Sequence, residues 1–239
     1  MVGIQLPDWN AFSLTGELGR RLDRGVARLL ELQPRLFTEE RVIRGYGYAE
    51  IACNWLETME LVCRHDGGRY LDAVRAVADE LLAHQVAYGG FCAGVETPAM
   101  RVDHWVGDQR ALGGLLAAWR LLGDGRYLDA AGRVACYVMG HWPKDFNSIA
   151  VNTWGSRKYC IEPYFYSTRN FVNLHAASGR PEHLSFARRI CLVAPRLRPD
   201  AEMEHADGRM MNLQGLLALF EVTGEKMLLD VVLNDQQVI

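Results

Sequence analysis

The stretch that decides the fold covers residues 102–139 and reads VDHWVGDQRALGGLLAAWRLLGDGRYLDAAGRVACYVM. Its first part is apolar on nearly all sides over residues 111–122, which predicts a helix buried against several neighbours. A Gly-Asp-Gly turn at 123–125 precedes a second part whose apolar residues fall on one stripe of a 3.6-residue period. The stretch therefore predicts a helical hairpin with one inner helix and one outer, amphipathic helix.

Two adjacent glycines, Gly113 and Gly114, lie inside the predicted inner helix. Glycine in a helix interior is about 1 kcal/mol less favourable than alanine. Their presence predicts that another backbone approaches the inner helix closely at this point.

The turn of this hairpin recurs along the chain. Weaker copies of the pattern begin at Gly179 and Gly224, and a shifted copy begins at Asp66. Recurrence at about every 50 residues is typical of stacked supersecondary units that bury their apolar faces against one another. Any two helices joined by a glycine turn give one such match, but four copies in phase favour a true repeat.

Helical periodicity extends over most of the chain, and no segment shows the clean alternation of a half-buried strand. The fold class is therefore predicted to be all-α, with nine helices in four to five hairpins. The predicted helices cover residues 14–32, 48–64, 69–85, 111–122, 127–139, 164–178, 182–196, 209–223 and 225–238.

Composition limits the function classes. The 239 residues are 49% hydrophobic and 23% charged, which is enough for one domain spanning 1–239 with a substantial core. A net charge of −3 argues against a nucleic-acid or anionic-membrane partner. No signal peptide and no apolar run of about 20 residues is visible. Six cysteines are scattered without close pairs; the four in helical patterns are expected to be buried thiols of a reducing, cytoplasmic compartment, and they are Cys53, Cys63, Cys136 and Cys191.

The turn LLGDGRYLDAA at 121–131 resembles the turn between inner and outer helices in the six-hairpin glycosidase superfamily, in particular the unsaturated uronyl hydrolases and the β-L-arabinofuranosidase-like proteins. The segments VDHW at 102–105 and EHADGR at 204–209 are similar to the polar segments before inner helices in those families. The resemblance implies an (α/α) toroid of helical hairpins that processes sugars. No cysteine-rich cluster matches the zinc site expected of the arabinofuranosidase-like proteins.

A closed six-hairpin ring needs twelve helices, so nine predict an incomplete toroid. The chain is then expected to be the N-terminal part of a longer catalytic domain. Its last hairpin would lack a neighbour and expose an apolar edge near Met227, Leu228, Val231 and Val232. Self-association through this edge is the expected consequence.

In a toroid all inner helices run the same way, so the loops before them share one face. Hydrolysis of a glycosidic bond commonly needs two carboxylates. The candidate pair is Asp103 or Asp108 with Asp207, and His104 and His205 are further candidates for catalysis. The alternatives are that Asp103 and Asp207 are helix N-caps, that Asp108 is an exposed first-turn carboxylate, and that both histidines are structural.

Aromatic residues near the same face are candidates for stacking on a sugar ring, although packing inside the ring also explains them. These candidates are Tyr48, Trp105, Trp154, Tyr164 and Tyr166.

No cofactor or metal is predicted, since the sequence contains no P-loop, no dinucleotide-binding glycine motif and no nucleophile elbow. A Cys-Cys-His zinc site made of Cys92, Cys160 and His205 is a weaker alternative, because the spacing is not diagnostic.

The sequence thus predicts a carbohydrate-active enzyme, a glycoside hydrolase that acts by paired carboxylates on a small-molecule or oligosaccharide substrate, such as a sugar or uronide. The alternative is a non-catalytic helical-repeat protein that serves in binding or as a scaffold.

Overall fold

The structure, a computed structural model, describes residues 13–37, 46–91, 101–142, 162–191 and 206–236, and for 46–48, 101–106, 162–166, 206–209 and 235–236 it describes the backbone alone. The described residues form nine α-helices, one short 3₁₀-helix at Gln33–Arg35 and no strand, so the fold is all-α as predicted. The helices are α1 (Gly16–Leu32), α2 (Tyr46–His65), α3 (Leu71–Ala83), α4 (Arg101–Leu122), α5 (Gly125–His141), α6 (Glu162–Ser178), α7 (Pro181–Cys191), α8 (Ala206–Thr223) and α9 (Lys226–Gln236).

The repeated glycine turns end three of the inner helices in the same way. Gly123, Gly179 and Gly224 have φ between 66° and 70°, a left-handed conformation that glycine adopts without a steric penalty. In each turn the glycine N–H donates to the carbonyl four residues earlier, at 2.7–2.9 Å. This local chemistry is repeated, so the predicted hairpin repeat is confirmed at these three turns.

The four hairpins are α2–α3, α4–α5, α6–α7 and α8–α9. Their first helices pack side by side in the order α2, α4, α6, α8 and form an inner layer, and each second helix packs on the outside of its own hairpin. Helix α4 is the most enclosed, since every residue from 111 to 118 is buried.

Helices α2 and α4 run in parallel. Along α4, Arg110 pairs with Glu50 of α2, Gly114 lies against Cys53, and Arg120 binds Glu60. Residue numbers on the two helices rise broadly together, which is the register of parallel neighbours. Two successive inner helices in parallel are what stacked hairpins of one orientation require.

Glycines bring the inner helices close together. A Cβ added at Gly114 would lie 2.6 Å from the Cβ of Cys53, and one at Gly215 of α8 would lie 2.8 Å from the Cβ of Thr168 in α6. Real side chains do not tolerate such distances, so both positions require glycine. The close backbone approach predicted at Gly114 is confirmed.

The outer helices hold the inner layer through buried residues at their first turns. Tyr127 of α5, His183 of α7 and Leu228 of α9 occupy equivalent places and are almost completely buried. The leucines that follow the first two, Leu128 and Leu184, are only partly buried against the core. The residue before each of these leucines, and not the leucine itself, therefore makes the buried contact with the inner layer.

The incomplete toroid stays a prediction, because the described residues show how neighbouring hairpins pack but not a ring. Helices α2 and α8, the two ends of the inner row, do not pack extensively on each other within the described ranges, so these residues show a row of hairpins rather than a closed toroid. The expected apolar edge is wrong for Leu228 and Val232, which are 1% and 3% exposed because they face α8 and the core. Met227 is 51% exposed. None of the described helices has the length and apolar character needed to cross a membrane.

Candidate functional site

The predicted site residues at the heads of the inner helices lie where the backbone alone is described. Asp103 and Asp207 fall inside the first turns of α4 and α8, because both helices begin earlier than predicted, and the N-cap alternative is therefore wrong for both. His104 and Trp105 lie in the same turn of α4, Tyr48 lies in the first turn of α2, and Tyr164 and Tyr166 lie near the start of α6. His205 and Trp154 lie outside the described residues, as do Cys92 and Cys160 of the alternative zinc site.

Asp108 is the predicted catalytic residue whose side chain is described, and it is completely buried. Its Oδ1 accepts a hydrogen bond from the backbone N–H of Phe91 at 2.8 Å, whereas its Oδ2 has no partner among the described residues. Burial raises the pKa of this carboxyl to about 7. The alternative of an exposed first-turn carboxylate is wrong, and the carboxyl holds the 85–91 turn against α4.

A polar pocket opens where α2, α4 and α6 meet. Its volume is about 340 Å³, which is within the range of small-ligand sites. The pocket is lined by Asn54, Glu57, Thr58, Glu60 and Leu61 of α2, Arg120 of α4 and Arg169 of α6. It brings together carboxyl and guanidinium groups from three helices that are far apart in the sequence.

Glu60 is the paired carboxylate of this pocket. It is 7% exposed and accepts two hydrogen bonds from Arg120, at 2.6 and 2.5 Å. Arg64, one turn along α2, donates a third at 2.7 Å. Because bidentate arginine pairs fix both distance and plane, this carboxylate is held in one orientation.

Glu57 is the unpaired carboxyl of this pocket. No hydrogen bond to its side chain is formed by any of the described residues, and its Oε1 occupies the space beside Gly113, where an added Cβ would approach it to 2.5 Å. Burial raises the pKa of Glu57, and the positive charges of Arg169, Arg110 and Arg120 oppose this rise without cancelling it. Among the groups of this pocket, the Glu57 carboxyl is thus the one whose pKa is raised, because desolvation disfavours its charged form.

Neighbouring contacts fix the walls of the pocket. Arg110 donates to Asn54 at 3.0 Å and lies 3.3 Å from the carboxylate of Glu50, so it joins α4 to α2. Asn170 of α6 donates to the backbone carbonyl of Gln109 at 2.8 Å, so it joins α6 to α4. The buried side chain of Gln109 has no hydrogen-bond partner in the described part of the chain.

Two other depressions have different chemistry. An apolar groove of about 260 Å³ lies between α1 and α2, where the indole N–H of Trp55 donates to the carbonyl of Leu29. A cleft of about 510 Å³ between α5 and the α6–α7 turn contains Asp129, Arg133, Ser178, Arg180 and His183.

The described side chains include no group of three or more histidines, cysteines or acidic residues that could hold a metal ion.

The residues of the polar pocket are not among those predicted from the sequence. A signal for them exists, however. Asn54, Glu57, Glu60 and Arg64 recur at helical spacing along one face of α2, whose other positions are largely apolar. A polar stripe on a helix predicted to be inner marks a buried polar site rather than a solvated face.

Comparison of the chain with protein-family models, with curated proteins and with solved structures finds no match.

Proposed function

We propose that the chain is a carbohydrate-active hydrolase whose acid/base site is the polar pocket between α2, α4 and α6. The observation that carries the proposal is the contrast between two carboxyl groups one helical turn apart. Glu57 is half-buried, unpaired among the described residues and has a raised pKa, whereas Glu60 is held by Arg120 and Arg64.

This contrast is the one that glycoside hydrolysis needs. A protonated carboxylic acid donates to the departing oxygen, and a second, ionised carboxylate acts as base or nucleophile. A carboxyl whose pKa is raised by its surroundings suits the role of proton donor. Glu57 would be the proton donor and Glu60 the second carboxylate; their Cβ atoms, at i and i+3 on one helix, are expected to be about 5–6 Å apart.

Other expectations belong to the same proposal. Asp103 and Asp207 stay predictions for the heads of the inner helices, as do the aromatic residues named with them. The four described cysteines are free thiols, which supports a cytoplasmic location; Cys53, Cys63 and Cys191 are buried as expected, whereas Cys136 is exposed, so the expected burial is wrong for it.

The experiment is a screen of aryl glycosides and unsaturated oligosaccharides, followed by Glu57→Gln on any substrate found. The variant is expected to lower kcat by about 100-fold or more, because general acid catalysis contributes about that factor. Its fold should persist, since glutamine removes a buried charge. Glu221→Gln, on an exposed position of α8, is the matched control and should keep full activity.

Two results would reject the proposal. One is a wild-type protein that hydrolyses none of the substrates. The other is a Glu57→Gln variant that hydrolyses them at the wild-type rate.

The second candidate function is that of a non-catalytic helical-repeat protein. The observation that favours it is that Glu60–Arg120 and Glu50–Arg110 join α2 to α4, as structural ion pairs do. In that case Glu57→Gln should raise the melting temperature without changing the binding of any sugar.

A further inference from the structure

Arg169 differs from the other arginines around the pocket. Arg110, Arg120 and Arg64 each bind a carboxylate of α2. Arg169 is exposed on α6, and the described structure gives it one hydrogen bond, from Nη1 to Oε1 of Gln214 at 3.3 Å, and no ion pair at hydrogen-bond distance. Most of its donors therefore have no partner among the described residues, and its side chain lines the pocket.

The charge of Arg169 nevertheless acts on Glu57. Among the charges that oppose the raised pKa of Glu57, that of Arg169 has the largest effect, ahead of Arg110 and Arg120 on α4, while Glu60 on the same helix acts in the opposite direction. In the free protein, Arg169 thus stabilises the ionised form of a carboxyl that it does not hydrogen-bond.

We propose that Arg169 is a shared cation, which faces the Glu57 carboxyl in the free protein and binds an oxyanion of the ligand in the complex. The planar guanidinium suits a carboxylate, because two parallel N–H groups match two oxygens. The ligand class is then a small polar molecule bearing one carboxylate. The choice of a sugar acid within that class rests on the proposed function.

Binding of a ligand at Arg169 is expected to change the pKa of Glu57. A ligand carboxylate at Arg169 neutralises the charge that favoured ionised Glu57 and adds a negative charge nearby, so it raises the pKa of Glu57 further. Arg110 and Arg120 stay paired with their own carboxylates. Binding of the ligand should therefore be accompanied by uptake of a proton, which converts the Glu57 carboxylate into the carboxylic acid.

Calorimetric titration with glucuronate and glucose tests the proposal, in two buffers of different ionisation enthalpy so that proton uptake is measured directly. The wild-type protein should bind glucuronate about tenfold or more tightly than glucose, because a charge-assisted hydrogen bond contributes at least that factor. Proton uptake should accompany glucuronate and not glucose.

Variants separate the parts of the proposal. Arg169→Gln should lose the preference for glucuronate, Arg169→Lys should keep part of it, and Glu57→Gln should bind glucuronate without proton uptake. Arg180→Gln, which lies in the cleft of α5 and α7, is the control and should behave as wild type. Circular dichroism and melting curves identify any variant that does not fold, in which case Arg169→Lys provides the comparison.

Each outcome has one meaning. Equal binding of glucose and glucuronate, or an unchanged preference in folded Arg169→Gln, overturns the proposal. Inorganic sulfate that causes the same proton uptake would support the shared cation and identify a free anion as its ligand. Binding of glucuronate that depends on Arg169, without hydrolysis of any glycoside, would support the shared cation and reject the proposed hydrolase. Hydrolysis of neutral glycosides alone would support the hydrolase and reject the shared cation.

Discussion

Two acidic residues, the buried Asp108 and the half-buried Glu57, are expected to contribute to the pH dependence of this protein's stability. Asp108 and Glu57 both have raised pKa values because burial disfavours their charged forms. Their surroundings differ, however. Asp108 caps the N–H of Phe91 in a closed interior, whereas Glu57 lines a pocket with arginines. The same physical effect therefore has a structural consequence at one residue and a chemical one at the other.

Asp108→Asn is predicted to flatten the pH dependence of stability. The folded protein holds the Asp108 proton up to about pH 7, whereas the unfolded chain releases it near pH 4. The stability from this group is therefore fully present below about pH 4 and is lost as the pH rises to about 7, by on the order of 4 kcal/mol. Asparagine cannot ionise, yet its Oδ1 can still accept from Phe91.

Urea denaturation at several pH values checks this prediction. The free energy of unfolding should change less between about pH 4 and 7 in Asp108→Asn than in wild type. The Glu57→Gln variant then shows how much of the remaining pH dependence comes from Glu57, the other carboxyl with a raised pKa. A wild-type slope that is unchanged in Asp108→Asn would mean that Asp108 is already ionised in the folded protein.

At the scale of elements, α2 packs closely on α4 because two positions of α4, Gly113 and Gly114, have no side chain. Gly114 faces Cys53, and Gly113 leaves the space that Glu57 Oε1 occupies. The same two glycines thus allow close helix packing and room for the unpaired carboxyl. Since α2 and α4 form one wall of the pocket, the packing and the site are not independent.

Gly114→Ala is predicted to destabilise the protein by about 1–3 kcal/mol, because the new Cβ would overlap Cys53 and force the helices apart. Gly132→Ala, inside α5 where an added Cβ meets nothing within 4 Å, is the matched control. It should stabilise by up to about 1 kcal/mol through helix propensity alone. Thermal unfolding of both variants measures the difference, and equal effects of the two substitutions would exclude a close α2–α4 contact.

The elements were more predictable than the site. The predicted helix ends at Leu122, Ser178 and Thr223 agree with the structure, because each is followed by a glycine whose left-handed conformation stops a helix locally. The polar pocket, in contrast, joins Glu57, Arg120 and Arg169, which are distant in sequence. No local pattern states which inner helices become neighbours, so the pairing of these charges follows only from the three-dimensional packing.

At the scale of the whole molecule, stability is expected to decline toward the last hairpin. The inner helices contact mainly their neighbours in the row, so the middle hairpins are supported from two sides. Helix α4 lies between α2 and α6 and is buried over residues 111–118. Helices α8 and α9 lie at the end of the described row and expose five large apolar side chains, those of Met210, Leu217, Val222, Met227 and Leu233.

Native-state hydrogen exchange is therefore predicted to be slowest in α4 and faster in α8–α9, with a difference of about tenfold or more in the protection of the slowest amides. Within the described residues, local opening of the last hairpin separates it mainly from α6 and α7, whereas opening of α4 breaks contacts with the inner helices α2 and α6 and with the outer helices α3 and α5. The pair Arg188–Glu225, at 2.8 and 3.0 Å, links α7 to the turn before α9. Arg188→Gln should speed exchange in α8–α9 and leave α4 unchanged. Equal protection of α4 and α9 in the wild-type protein would contradict a stack that opens from its end, and would instead indicate that all four hairpins unfold as one cooperative unit.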